Sequence, residues 1–170
     1  MSLLVALTIS ISILGGLWTY VTLSGLFPVQ VWASFVAWAC FFHSGGKAAG
    51  FKSSIICNAY GAIVGWVALT IWVRAGLEGR ASTAFVSILV LAGIAAMVLA
   101  AHAPLLSSIP GSVYGFATVV GVTLATQAVP KLMDFGAGLG NPLVGTVLAM
   151  ALGAVLGFIS EKWAGAMAKA

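Results

Sequence analysis

Charged side chains are so few and so unevenly placed that they dictate how this chain can fold. Seven are basic and three acidic, and none occurs before Lys47, between Lys52 and Arg74, between Arg80 and Lys131, or between Asp134 and Glu161. A helix needs about 20 largely apolar residues to cross the hydrocarbon core of a bilayer. The first and third stretches are long enough for two such helices each, the second and fourth for one. The pattern predicts six transmembrane helices. A soluble fold is excluded by the same feature, because a 17.3 kDa chain would expose about 7,800 Å² as a soluble monomer, and so few charges cannot keep that surface wet. The apolar fraction of 62%, against about 45–50% in soluble domains, also excludes a disordered chain or a coiled coil.

Chain breakers refine the boundaries. Ser24-Gly25-Leu26-Phe27-Pro28 separates the first two helices, and His102-Ala103-Pro104 with Ser107 and Ser108 separates the fourth and fifth. The spans predicted are 3–23, 29–46, 54–73, 82–101, 109–127 and 141–160, in one all-α integral membrane domain over residues 1–170. The first eight residues carry no basic side chain, unlike a secretory signal, so the first apolar segment is expected to remain as a helix. The basic residues are scattered among short connections and mark no nucleic-acid footprint. Six spans would put Lys47, Lys52, Lys162 and Lys169 on one side and Arg74, Arg80 and Lys131 on the other, a slight positive-inside bias toward cytoplasmic termini. Trp18, Trp72 and Trp163 fall near helix ends, where interfacial aromatics gather. Cys40 and Cys57 fall inside predicted helices and are expected to be small apolar fillers.

The two halves resemble each other. Pro28-Val-Gln-Val-Trp32-Ala aligns with Pro110-Gly-Ser-Val-Tyr114-Gly, a Pro-opened helix with Val, an aromatic and a small residue in the same order. Lys47 and Asn58 then follow the first Pro much as Lys131 and Asn141 follow the second. A unit of three spans ends opposite to where it began, so its copy lies upside down. The expected architecture is therefore two inverted three-helix repeats, about 1–75 and 80–163, as recurs in transporters and channels.

Gly145, Ala149, Gly153 and Gly157 form one stripe down the last helix, and Gly61 with Gly65 does the same on the third; such stripes let helices approach closely. Asn141-Pro142 suits a helix start, with Asn capping and Pro in the first turn. It serves either as an interfacial cap or as a helix end presented to a passing solute. Asn58, Tyr60, Gln127 and His43 are the other polar groups in or near spans, where polarity usually faces the protein interior or a wet cavity. No cluster has metal-ligand spacing, no nucleophile has a base partner, no phosphate loop is present, and no carboxylate lies within a span. Enzymatic chemistry, a cofactor and proton coupling through a buried acid are accordingly not expected.

Leu14-Gly-Gly-Leu-Trp18, the run from Trp32 through Phe41-Phe-His-Ser-Gly-Gly-Lys47, and Ser108-Ile-Pro-Gly-Ser-Val-Tyr-Gly115 together resemble the YcdZ-like group of small bacterial inner-membrane proteins, a domain of unknown function. The resemblance covers nearly the whole chain. It implies a stand-alone domain in the bacterial inner membrane and no assigned catalytic residues. The preferred expectation is a passive channel or facilitator for a small polar solute such as urea, a short amide, ammonia or a short carboxylate. It would sit in lipid as a homo-oligomer, with Asn58, Asn141, Trp32 and Tyr114 lining the path and Lys47, Lys131 and His43 at its mouths. The alternative is an accessory subunit that docks on a larger membrane complex through the glycine stripe.

Overall fold

The computed structural model describes residues 1–169, and all regular structure among them is helical. Six α-helices follow in order: α1 (Leu3–Leu23), α2 (Val31–His43), α3 (Lys47–Ala75), α4 (Gly79–Ala100), α5 (Ile109–Ala125) and α6 (Pro142–Lys169). Helices α1, α3, α4 and α6 are each long and apolar enough to cross a membrane, the signature of a multi-pass membrane protein. The expectation of six full-length spans needs correction for the other two. Helix α2 has 13 residues and α5 has 17, about 20 and 26 Å at 1.5 Å per residue, against a hydrocarbon core about 30 Å thick. The causes are local. Gly45, Gly46 and Lys47 take positive φ one after another and end α2 early, and Gln127 at φ 52° does the same to α5. Such left-handed geometry cannot continue a right-handed helix.

The helix starts follow ordinary capping chemistry. Ser2 Oγ accepts from Val5 N–H, Ser108 Oγ from Gly111 N–H, and Asn141 Oδ1 from the N–H groups of Leu143 and Val144. The Glu161 carboxylate, reaching over from α6, accepts the Lys47 N–H at the start of α3 at 2.8 Å, where the helix dipole favours negative charge. The connection from Thr126 to Asn141 contains two short 3₁₀ segments, Val129–Lys131 and Phe135–Gly140, and buries Leu132 under it.

The helices pack mainly in two close pairs, α3 with α5 and α2 with α6. In the first pair, a Cβ on Gly61 would fall onto the Ser112 carbonyl oxygen, one on Gly115 onto the Asn58 carbonyl, and one on Gly65 would meet Val119 Cγ1 at 2.7 Å. In the second, a Cβ on Gly153 would fall onto the Ser34 carbonyl and one on Gly157 would meet Phe41 Cδ1 at 2.7 Å. Only glycine permits backbones this close. Ala149 joins Val29, Ala33 and Val122 in a buried cluster, and Gly145 abuts the Leu139 carbonyl. The stripe on α6 is thus filled by α2 and the adjoining connections of the same chain. Because contacts advance together along both helices, the members of each pair run parallel. Helix α4 lies antiparallel to α3, held by Trp72 Nε1–H donating to Ser82 Oγ (2.8 Å) and Tyr60 O–H to the Ala96 carbonyl (3.2 Å). Helix α1 packs on α6. Both α1 and α4 turn large apolar side chains outward, Leu4, Leu17, Ile88 and Leu91 among them, as a lipid-facing helix does.

Candidate functional site

Two recesses open at opposite ends of the bundle. One, of about 340 Å³, lies where α2 ends, α3 begins and the α4–α5 connection crosses, and is lined by Ser44, Lys52, Ser53, Ile56, Leu105 and Ser107 among others. The other, of about 170 Å³, lies where α5 ends, α6 begins and the α1–α2 connection crosses, and includes Gln30, Thr126, Lys131, Gly140 and Gly145. Each therefore carries one lysine and a few neutral polar groups over an apolar wall. Lys131 borders the second recess. Lys52, rather than Lys47, occupies the first; Lys47 instead borders an open groove with Phe158, Glu161 and Lys162.

Between the recesses the bundle is closed and contains polar side chains with no partner. Asn58 is 1% exposed, and neither its amide nitrogen nor its oxygen makes a hydrogen bond. Its polar neighbour is the Cys40 thiol on α2, a weak hydrogen-bonding group that meets little of an amide's capacity. The hydroxyls of Ser34, Ser112 and Thr146 are likewise buried and unpartnered. Serine and threonine in helices usually bond back to their own carbonyls, as Thr123 does to Val119 (2.7 Å) and Ser160 to Gly157 (2.8 Å), so unpartnered hydroxyls at this depth stand out. Each such group costs about 1–3 kcal/mol if left dry. Sequence reading missed Ser34, Ser112 and Thr146, because nothing local distinguishes a back-bonded hydroxyl from an orphaned one.

The other path residues expected from sequence are dispersed. Asn141 is buried, but its side chain is fully engaged: Oδ1 caps α6, and Nδ2–H donates to the carbonyls of Lys131 (3.0 Å), Leu132 (3.2 Å) and Asp134 (3.2 Å). It clamps a connection and turns no free polar group toward a solute, which favours the capping alternative over a place on a path. Trp32 is 36% exposed and borders, with Tyr114, a shallow apolar groove on the outside of α2 and α5, so neither lies on a path through the interior of the protomer. The Tyr114 hydroxyl lies 2.9 Å from His43 Nδ1 on the same flank. Cys40 and Cys57 are buried and unlinked, with the Cys57 thiol donating to the Leu105 carbonyl. Among the described residues no group of three or more His, Cys, Asp or Glu could hold a metal ion.

Comparison with known proteins adds a family but no activity. No curated protein and no solved structure matches the chain. A family model described as "Protein of unknown function (DUF1097)" matches residues 8–165. That match takes in all of α2 to α5 and most of α1 and α6, and so the chain belongs to the DUF1097 family.

Proposed function

We propose that this protein is a passive facilitator for a small polar solute, residing in the bacterial inner membrane as the YcdZ-like resemblance implies. The observation that carries the reading is the pair of polar-rimmed recesses at opposite ends with unpartnered polar side chains buried between them. A structural core has no use for such groups, whereas a solute crossing it needs partners there. Polar side chains in a spanning bundle generally mark such a route. The remaining carboxylates lie outside it: Glu78 and Asp134 are exposed in connections, and Glu161 caps α3. This favours permeation over proton-driven pumping.

Corresponding contacts in the two halves favour an inverted repeat, in a different register from that expected, and such a repeat supports the same reading. Ser34 and Phe41 of α2 meet Gly153 and Gly157 of α6 as Ser112 and Val119 of α5 meet Gly61 and Gly65 of α3. Superimposing these contacts pairs Trp32 with Pro110 rather than with Tyr114, Asn58 with Met150 rather than with Asn141, and Ser54 with Thr146. The shift on the first helix is one turn, because Pro28 precedes α2 while Pro110 lies inside α5. The two recesses also exchange under this pairing, with Ser44 and Ser53 in one answering Val122 and Gly145 in the other. The rival reading, an accessory subunit docking through the glycine stripe, loses its surface, since α2 of the same chain fills that stripe.

Stopped-flow light scattering on proteoliposomes tests the proposal with urea, acetamide, ammonium and acetate. Faster entry of at least one solute than in protein-free vesicles is expected. A flat response to all four, in vesicles with verified incorporation, would refute facilitation of these solutes and return weight to the accessory reading.

A further inference from the structure

Resting on that reading, we infer that the solute is a small neutral molecule with both hydrogen-bond donors and acceptors, a urea or primary amide, and that Asn58 binds it. The side chain of Asn58 offers two N–H donors and a carbonyl acceptor. Apart from the weak contact with the Cys40 thiol, this capacity is unmet at a position 1% exposed. What satisfies it must donate and accept together within a small space, and another amide does both. Ser112 shares the same helix crossing: Gly61, one turn beyond Asn58, packs on the Ser112 carbonyl, and Gly115, one turn beyond Ser112, packs on that of Asn58. The Ser112 hydroxyl is also buried and unpartnered, and it is a second group able to donate or accept.

The neutrality of the solute follows from what the core lacks. Every Lys, Arg, Asp and Glu lies outside the stretch of α3 from Ser53 to Val73, outside α2 and α5, and outside α6 before Glu161. An ion crossing this region would lose its hydration without a counter-charge, at a cost far above that of a neutral polar molecule. The site also lies close beneath one recess. Ser53 and Ile56 line that recess, the Cys57 thiol bonds to the Leu105 carbonyl in its wall, and Asn58 follows directly. Its counterpart in the other half is Met150, buried and apolar, so the amide occurs in one half only, while Ser34 answers Ser112.

The test is flux through proteoliposomes of the full chain with urea, acetamide, acetate and ammonium, for the native protein and for Asn58→Leu. Urea and acetamide should enter faster than in empty vesicles while acetate and ammonium do not. Asn58→Leu should lower urea flux about tenfold or more, the effect of one ordinary hydrogen bond lost from a dry site. Asn58→Thr, smaller and still polar, should fall between and serves if the leucine variant does not fold. Transport of acetate or ammonium without urea or acetamide would overturn the inference and leave the facilitator reading standing. Urea flux unchanged in both variants would overturn it too, identifying Asn58 as the seat of a structural water. No flux of any solute removes the facilitator reading itself and the inference with it.

Discussion

Replacing Asn141 by alanine should destabilise the bundle by about 3 kcal/mol without acting on a path. The side chain does two separable jobs. As a cap it accepts from Leu143 and Val144 N–H at 3.0 and 3.2 Å, a role worth about 1 kcal/mol. As a clamp it donates to three carbonyls of the preceding connection. None of these is orphaned by its loss, since Leu132 O keeps Trp66 Nε1–H at 2.7 Å, Lys131 O keeps Asp134 N–H, and Asp134 O keeps Ala137 N–H. The penalty is therefore that of lost bonds, about 1 kcal/mol for each of the two N–H groups, rather than of stranded acceptors. Asn141→Ser preserves the cap alone and should recover about 1 kcal/mol of the loss. The assay is reversible unfolding in mixed micelles followed by tryptophan fluorescence, with solute flux measured beside it. Equal stabilities for the serine and alanine variants would refute the division of labour. Flux lost at native stability would refute the reasoning outright and return Asn141 to the path.

Other substitutions probe the two helix crossings and their fastenings. Gly61→Ala and Gly153→Ala each drive a methyl onto a carbonyl oxygen, so each should cost at least about 2 kcal/mol. Gly16→Ala, with nothing near it, should be neutral or stabilising by up to about 1 kcal/mol; thermal unfolding of the three in one detergent checks the contrast. Trp66→Phe removes the bond to Leu132 O and should cost about 1 kcal/mol, with cleavage by a nonspecific protease rising first between Thr126 and Asn141. Similar cleavage in the native protein and the variant would show that this bond does not hold the connection.

What the sequence disclosed and what it hid follow from the range of the forces involved. Charge gaps and Gly or Pro breaks act locally, and they suffice to place six helices in order and to bound α1. The shortness of α2 and α5 escaped, because glycines at 45 and 46 permit but do not require positive φ, and Gln127 adopts it although its residue type rarely does. The glycine stripe was legible as a packing face, but its partner was not: that α2 fills it depends on three-dimensional pairing between distant segments. Asn58 was singled out by polarity inside an apolar run, and it is buried. Asn141 gave the same cue for the opposite reason, since a polar side chain at a helix start looks alike whether it is spent on its own backbone or free for a solute.

The pairing of helices also determines how the bundle can open. Its tightest interfaces join helices from different halves, α3 with α5 and α2 with α6, and α4 and α1 add to these pairs in turn. Backbone-on-backbone packing at Gly61 and Gly153 leaves no slack for sliding. If each close pair moves as a unit, the moving bodies are α3–α4–α5, a continuous segment, and α1–α2 with α6, which themselves meet along α3 and α6 and along α2 and α5; the sequence halves are interlocked. On that division, a motion that joins a recess to Asn58 separates α2 from α5 and α3 from α6. Tethers distinguish the alternatives. With Cys40 and Cys57 replaced by alanine, we predict that a bifunctional thiol reagent joining His43→Cys to Tyr114→Cys, across the two bodies, slows urea flux severalfold. The same reagent joining Trp72→Cys to Ser82→Cys, within one body, should leave it unchanged. Equal slowing by both tethers would mean that the bodies are drawn wrongly. No slowing by either would mean that the solute passes without their separation, through side-chain motion alone.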